Sequence, residues 1–191
     1  MRLRVILPAT LAAVFVLGAC GSSSPPEASP KTSEPSTGAT SVTFEPAGVN
    51  PSKSAKMVCD GEVSGDLAET LGVTATRVTK PTWKDHVYSC TFVYPKGSIA
   101  LSVKELVSEK TTTDFFNAQK QRLGSKDDLF GLGTGAFVAK NDDVVVRKDY
   151  KVLLVDVSKV PAANAAFVPA MSRSDVATNV ASVIMSCWVG A

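Results

Sequence analysis

His86 is the only histidine in the 191 residues, and it stands beside Asp85 in a polar stretch ahead of a strand-like run. An imidazole next to a carboxylate is the beginning of a general base. Such a pair also needs a nucleophile within reach, and no Gly-x-Ser-x-Gly or comparable nucleophile setting accompanies it. His86 therefore reads as a turn residue, and no enzyme is expected. Gly131-Leu132-Gly133-Thr134-Gly135 offers glycines at alternate positions. A phosphate cradle needs Gly-x-Gly-x-x-Gly opening a helix, or Gly-Lys-Ser/Thr closing the loop. These glycines precede a strand instead, so they predict a turn that needs positive φ. Asp127-Asp128 and Asp142-Asp143 lack the spacing of a calcium loop and read as solvated turns. Neither a metal nor a cofactor is expected.

The cysteines carry more chemistry. There are four, Cys20, Cys59, Cys90 and Cys187. Cys20 closes the stretch Leu17-Gly18-Ala19-Cys20, which follows Arg2, Arg4 and an apolar run over 5–17 interrupted only by Thr10, with Pro8 within it. The run is too short to span a bilayer comfortably and reads as the core of a signal peptide. Leucine, two small residues and cysteine resemble the bacterial lipobox. That resemblance implies cleavage after residue 19, a diacylglycerol and palmitate anchor on Cys20, and a place on the extracytoplasmic face of the cell membrane. The small side chains of Gly18 and Ala19 give a peptidase access, and a thiol is the side chain best suited to accept the lipid.

Removing the leader changes the charge. The chain has 20 basic and 18 acidic residues, and the leader holds two of the basic ones and no acid. The remainder is neutral, which argues against nucleic acid and against electrostatic adhesion to an anionic membrane. Residues 21–41 are mostly Ser, Pro, Thr, Glu, Ala and Gly. Such a segment buries too little apolar surface to offset its ordering entropy, and predicts a flexible tether reaching roughly 25 Å. The organisation expected is therefore a signal peptide over 1–19, a lipidated tether over 20–41 and one folded domain over 42–191.

With Cys20 acylated, three cysteines remain for one disulfide in an oxidising exterior, and three pairings are open. Cys59 with Cys90 is favoured. Both lie near polar turn sequences, Cys59-Asp60-Gly61 and Tyr88-Ser89-Cys90. Cys187 instead continues Val176, Val180, Val183 and Ile184 at helical spacing, as a small apolar member of a buried stripe.

These residues need elements to hold them. A helix is expected over 64–71, opened by Ser64-Gly65-Asp66 and stopped by Gly72, with a short strand over 77–79. Strict alternation over 87–94 and 99–104, joined by Pro95-Lys96-Gly97-Ser98, predicts a β-hairpin. Thr111 and Asp114 have capping-box spacing for a second helix, with Phe115, Phe116, Gln119 and Leu123 inward and Gly124 at its end. A strand over 136–139 and a second hairpin over 144–147 and 151–157 follow. Ser174-Asp175 caps a last helix. The order predicts an α+β fold, an antiparallel sheet built from two hairpins with helices packed on one face.

The order of parts also looks familiar. The lipobox, the Ser/Pro tether, Met57-Val58-Cys59-Asp60 before a helix ending Leu71-Gly72, Tyr88-Ser89-Cys90-Thr91-Phe92, and Leu129-Phe130-Gly131-Leu132-Gly133-Thr134-Gly135-Ala136-Phe137 occur in that sequence. Over most of its length the chain resembles actinobacterial, largely mycobacterial, lipoproteins that share a domain of unassigned function. The resemblance implies an envelope location and the pairing of Cys59 with Cys90, and no activity. Thr134 stands where those proteins commonly carry an acid.

The expected role is a non-enzymatic binding or interaction module for an envelope partner, with carriage of a lipid or small apolar ligand in an internal cavity as the alternative. Within a loop over 158–173 that carries Pro161 and Pro169, the stretch over 160–171 is apolar, proline-bounded and long for a loop. Val160, Phe167, Val168 and Met171 are therefore the candidate ligand or partner surface.

Overall fold

The clearest alternation in the chain forms the centre of the structure. The computed structural model describes residues 45–162, 167 and 170–188; Cys20 and the tether lie outside these. Strands β3 (Val87–Tyr94) and β4 (Gly97–Glu105) pair with Tyr94 opposite Gly97, so Pro95 and Lys96 make the turn. Strands β7 (Val144–Lys148) and β8 (Lys151–Asp156) form the second hairpin. β4 joins the two by pairing with β8.

Strands outside these hairpins complete the sheet. β1 (Arg77–Val78) and β2 (Thr82–Lys84) lie in succession along the free edge of β3. β6 (Gly135–Ala139) pairs with β7, and β5 (Ser125–Leu129) forms the opposite edge. All pairings are antiparallel, in the order β1-β3-β4-β8-β7-β6-β5 with β2 beside β3. The α+β class with an antiparallel sheet is as expected. β2 and β5 were not. β5 is Ser-Lys-Asp-Asp-Leu, an edge strand whose charges keep it from recruiting further strands and also hide it from any apolar pattern.

The helices are α1 (Lys53–Met57), α2 (Gly61–Leu71), α3 (Glu109–Leu123) and α4 (Arg173–Cys187). α1 was not expected, and the starts of α2, α3 and α4 lie earlier than expected, because a cap is chosen by backbone geometry as well as residue type. Asp60, extended, accepts from the Val63 N–H at 3.1 Å and starts α2 before Ser64. Ser108, not Thr111, caps α3, with the Ser108 hydroxyl on the Thr111 N–H and the Thr111 hydroxyl on the Ser108 N–H. Ser172, not Ser174, caps α4 in the same reciprocal way with Asp175. Gly72 ends α2 at φ 63, the left-handed cap that glycine adopts without strain.

Not all helices share a face of the sheet. Phe92, Leu101, Val155, Val144 and Val138 point to one side, where Val58, Leu67, Leu71, Val176, Val180 and Ile184 meet them. Phe137, Val145 and Val152 point to the other side, where Phe115, Phe116 and Leu123 of α3 cover them. The placement of helices on one face thus holds for α2 and α4, and α3 corrects it. The reason is the strand period of two: β6, β7 and β8 are apolar on both faces and need cover on both.

Candidate functional site

Among the described residues, the second face is only half covered. α3 packs on β6, β7 and β8. Beside it, β3 and β4 present Ser89, Thr91, Ala100 and Ser102, paired as Ser89 with Ser102 and Thr91 with Ala100. Next in register on β8 are Leu154, opposite Ser102, and Asp156, opposite Ala100. Small hydroxyl-bearing and alanine side chains offer little apolar area, so no helix gains by covering them. Thr79, Lys80 and Thr82 rise at the edge, and the result is an open depression of about 280 Å³.

Some hydroxyls here are committed. Thr82 and Ser89 share a hydrogen bond of 3.0 Å, and the Thr79 hydroxyl accepts from the Thr91 N–H at 2.9 Å. The hydroxyls of Thr91 and Ser102 have no partner among the described residues. They can both donate and accept. With Lys80 and Asp156 nearby, the surface suits a polar partner that offers hydrogen bonds. These residues were visible in the sequence only as the outward positions of two strands. Their common smallness and hydroxyl chemistry was the available signal.

The residues singled out from the sequence lie elsewhere. Asp85 and His86 occupy the turn between β2 and β3 with φ 51 and 56, the geometry of a tight two-residue hairpin turn. The imidazole stands edge-on to Trp83 at 5.7 Å, and the Trp83 indole donates to the Val49 carbonyl at 2.8 Å. Gly131 and Gly133 have φ 81 and 57, a turn and not a phosphate loop. A Cβ on Gly133 would lie 2.4 Å from the Arg147 carbonyl oxygen, so a side chain there meets backbone. Arg147 donates to the Thr113 hydroxyl and the Thr134 carbonyl and lies over the Phe116 ring, which fastens α3 to the sheet.

The acidic pairs separate by environment. Asp128 is exposed and bonded to Lys120, whose side-chain hydrogen bond lowers its pKa. Asp143 is buried and accepts from the Val157 N–H at 3.0 Å and the Asn141 amide at 2.7 Å, yet burial still pushes its pKa up. Among the described residues no group of three or more His, Cys, Asp or Glu could hold a metal ion.

Cys59 and Cys90 form the disulfide, which joins the segment before α2 to β3. Cys187 is half-buried at the end of α4, and its thiol donates to Asp66 at 3.4 Å. The fully buried stripe runs instead through Val176, Ala177, Val180, Ala181 and Ile184 to Trp188.

The 158–173 stretch turns inward where it is described. Val160 and Phe167 are buried in the main core, and Met171 packs against it half-buried. Phe167 meets Tyr94 edge-on at 5.4 Å, and burial pushes the Tyr94 phenol up to about 12. Val160 and Phe167 therefore present no outer surface to a partner; Val168 lies outside the described residues. Apolar side chains in a long loop gain more by closing the core than by facing water.

Among the described residues no helix is long and apolar enough to cross a membrane. No family model, curated protein or solved structure matches the chain.

Proposed function

We propose that this chain is a lipid-anchored cell-envelope protein that acts as a non-enzymatic interaction module, held on the outer face of the cell membrane through Cys20. Leu17-Gly18-Ala19-Cys20, the tether and the likeness to the actinobacterial lipoproteins support the address. The binding role rests on one observation, the half of a sheet face over β3 and β4 that no described helix covers and that carries the Thr91 and Ser102 hydroxyls. Covering the neighbouring half with α3 while leaving this one bare keeps backbone-rigid hydrogen-bonding groups available to an envelope partner. A polar protein surface suits them better than an acyl chain. Carriage of a lipid or small apolar ligand has less support, since Val160 and Phe167 fill the core where they would have lined an opening.

The test places a photo-crosslinking residue at Thr91 or Ser102 of the full chain in cells, with exposed Asn117 on α3 as control. Adducts of one defined mass from Thr91 and Ser102, and none from Asn117, are expected. Equal adducts at the three positions, or none, would remove the assignment of this face.

A further inference from the structure

Large apolar side chains stand out in water at one end of the sheet. Val49 is 90% exposed, Val107 63% and Phe130 95%. Singly, such residues need no explanation. Their shared location does. Phe130 follows Leu129, which pairs with Ala136 at the start of β6. Val107 follows Leu106, whose N–H donates to the Tyr150 carbonyl in the β7–β8 turn at 2.8 Å. Val49 is held by Trp83 beside the β2–β3 turn. All of these loops lie at the end of the sheet marked by Glu105 opposite Lys151.

The chain enters at this same end. The Glu45 carbonyl accepts from Lys151 at 3.4 Å, and the Ala47 N–H donates to the Leu106 carbonyl at 2.9 Å. The Ser52 N–H and hydroxyl then bind the buried Glu105 carboxylate at 2.9 and 2.6 Å, which fixes the entering segment to the sheet. At the opposite end the turns are Pro95-Lys96 and Asn141-Asp142, with no large exposed apolar side chain among the described residues.

We propose that the entry end rests on the lipid bilayer, with Phe130 inserted at the interface at one edge of the sheet and Val107 and Val49 meeting it farther along the same end. This rests on the Cys20 anchor read above. With Cys20 anchored, a coil of about twenty residues before the domain would have a root-mean-square reach of roughly 25 Å, so a weak apolar contact would act at high effective concentration. The anchor supplies attachment and the apolar end supplies orientation. Lys84 with Asp85 and Lys148 with Asp149 mix the charges at this end, so apolar burial drives the contact rather than attraction to anionic lipid. The strands then stand away from the membrane, and Thr91 and Ser102 face sideways, open to a partner.

The experiment uses the full chain, extracted from membranes and reconstituted in phosphatidylcholine vesicles carrying brominated acyl chains. Phe130→Trp is compared with Ser158→Trp, an exposed site at the far end, and both with the unsubstituted chain to subtract Trp83 and Trp188. The Phe130→Trp increment is expected to fall to about half, as for a side chain roughly 5–10 Å into the headgroup and acyl boundary. The Ser158→Trp increment is expected to stay unchanged. Adding phosphatidylglycerol is expected to change neither. Equal quenching at the two sites, no quenching at Phe130→Trp, or quenching that requires the anionic lipid would each overturn the contact. Labelled palmitate separates this from the anchor. A labelled chain without quenching loses the contact and keeps the anchor; an unlabelled chain quenched at Phe130→Trp keeps the contact and loses the anchor.

Discussion

α3 and α4 are both fifteen residues long, and both begin with a serine in a reciprocal capping box. They part company in what they bury. α4 sinks Val176, Ala177, Val180, Ala181 and Ile184 completely, whereas the only fully buried side chain of α3 is Thr112. The local signals that start a helix are thus the same on the two sides of the sheet, and the depth of packing differs. α4 meets α2 and the continuous apolar face of the sheet. α3 meets a small cluster of Phe137, Ala139, Val145 and Val152, and lies beside polar strands. A helix is capped by its own sequence but is seated by the surface opposite it.

The two helices differ most in their interiors. Ile184→Ala is expected to cost about 4 kcal/mol, within the range for a fully buried isoleucine that leaves a cavity. Phe116→Ala on half-buried α3 is expected to cost about half as much, because neighbouring side chains and water can fill the gap. Urea unfolding at one pH measures both. Equal losses would mean that α3 is as deeply seated as α4.

At their starts the two helices are alike. Ser172→Ala and Ser108→Ala should each lose about 1 kcal/mol, since each removes a hydroxyl that satisfies an end N–H. Near-equal values in thermal or urea unfolding would support equivalent starts. A large excess for Ser108 would show that α3 depends on its cap where α4 depends on packing.

The smallest expected effect is one of sign. Asp128, paired with Lys120 of α3, has a lowered pKa in the folded state. Its contribution is present above the ordinary aspartate value of 3.8 and lost as pH falls through the lower folded value. Asp143 is raised by burial, so the fold favours its protonated form. Its contribution is present below 3.8 and lost as pH rises through the raised folded value. Stability measured from about pH 3 to 6 should therefore rise less steeply at Asp128→Asn and more steeply at Asp143→Asn than in the parent. The Asp128 effect should also fade in high salt, because that pair is exposed. The same direction of change for both variants would contradict the contrast between the exposed and buried carboxylates.

Much of the fold was legible because it is written with period two. The β3–β4 and β7–β8 hairpins follow from alternating side chains and turn residues, and Gly72 and Gly124 end their helices as expected. The polar edge β5 carried no such signal, and β2 is only three residues long. The candidate site was the least legible part. An outward Ser or Thr looks the same whether it faces bulk water or sits in a depression between strands, and an apolar loop looks the same whether it opens a surface or, like Val160 and Phe167, closes a core.

Residue types and spacing by themselves determined the α+β class, the two central hairpins, the expectation of a lipid-bearing Cys20 and the favoured pairing of Cys59 with Cys90. These are matters of local chemistry and short-range pattern. Only the tertiary structure decided which side of the sheet each helix occupies, that the described helices leave half of one face bare, that Val160 and Phe167 turn inward, and that Val49, Val107 and Phe130 share the end where the chain enters. The physical reason is that burial depends on what lies opposite a residue, and strand order brings together neighbours such as β4 and β8 that stand far apart in the chain.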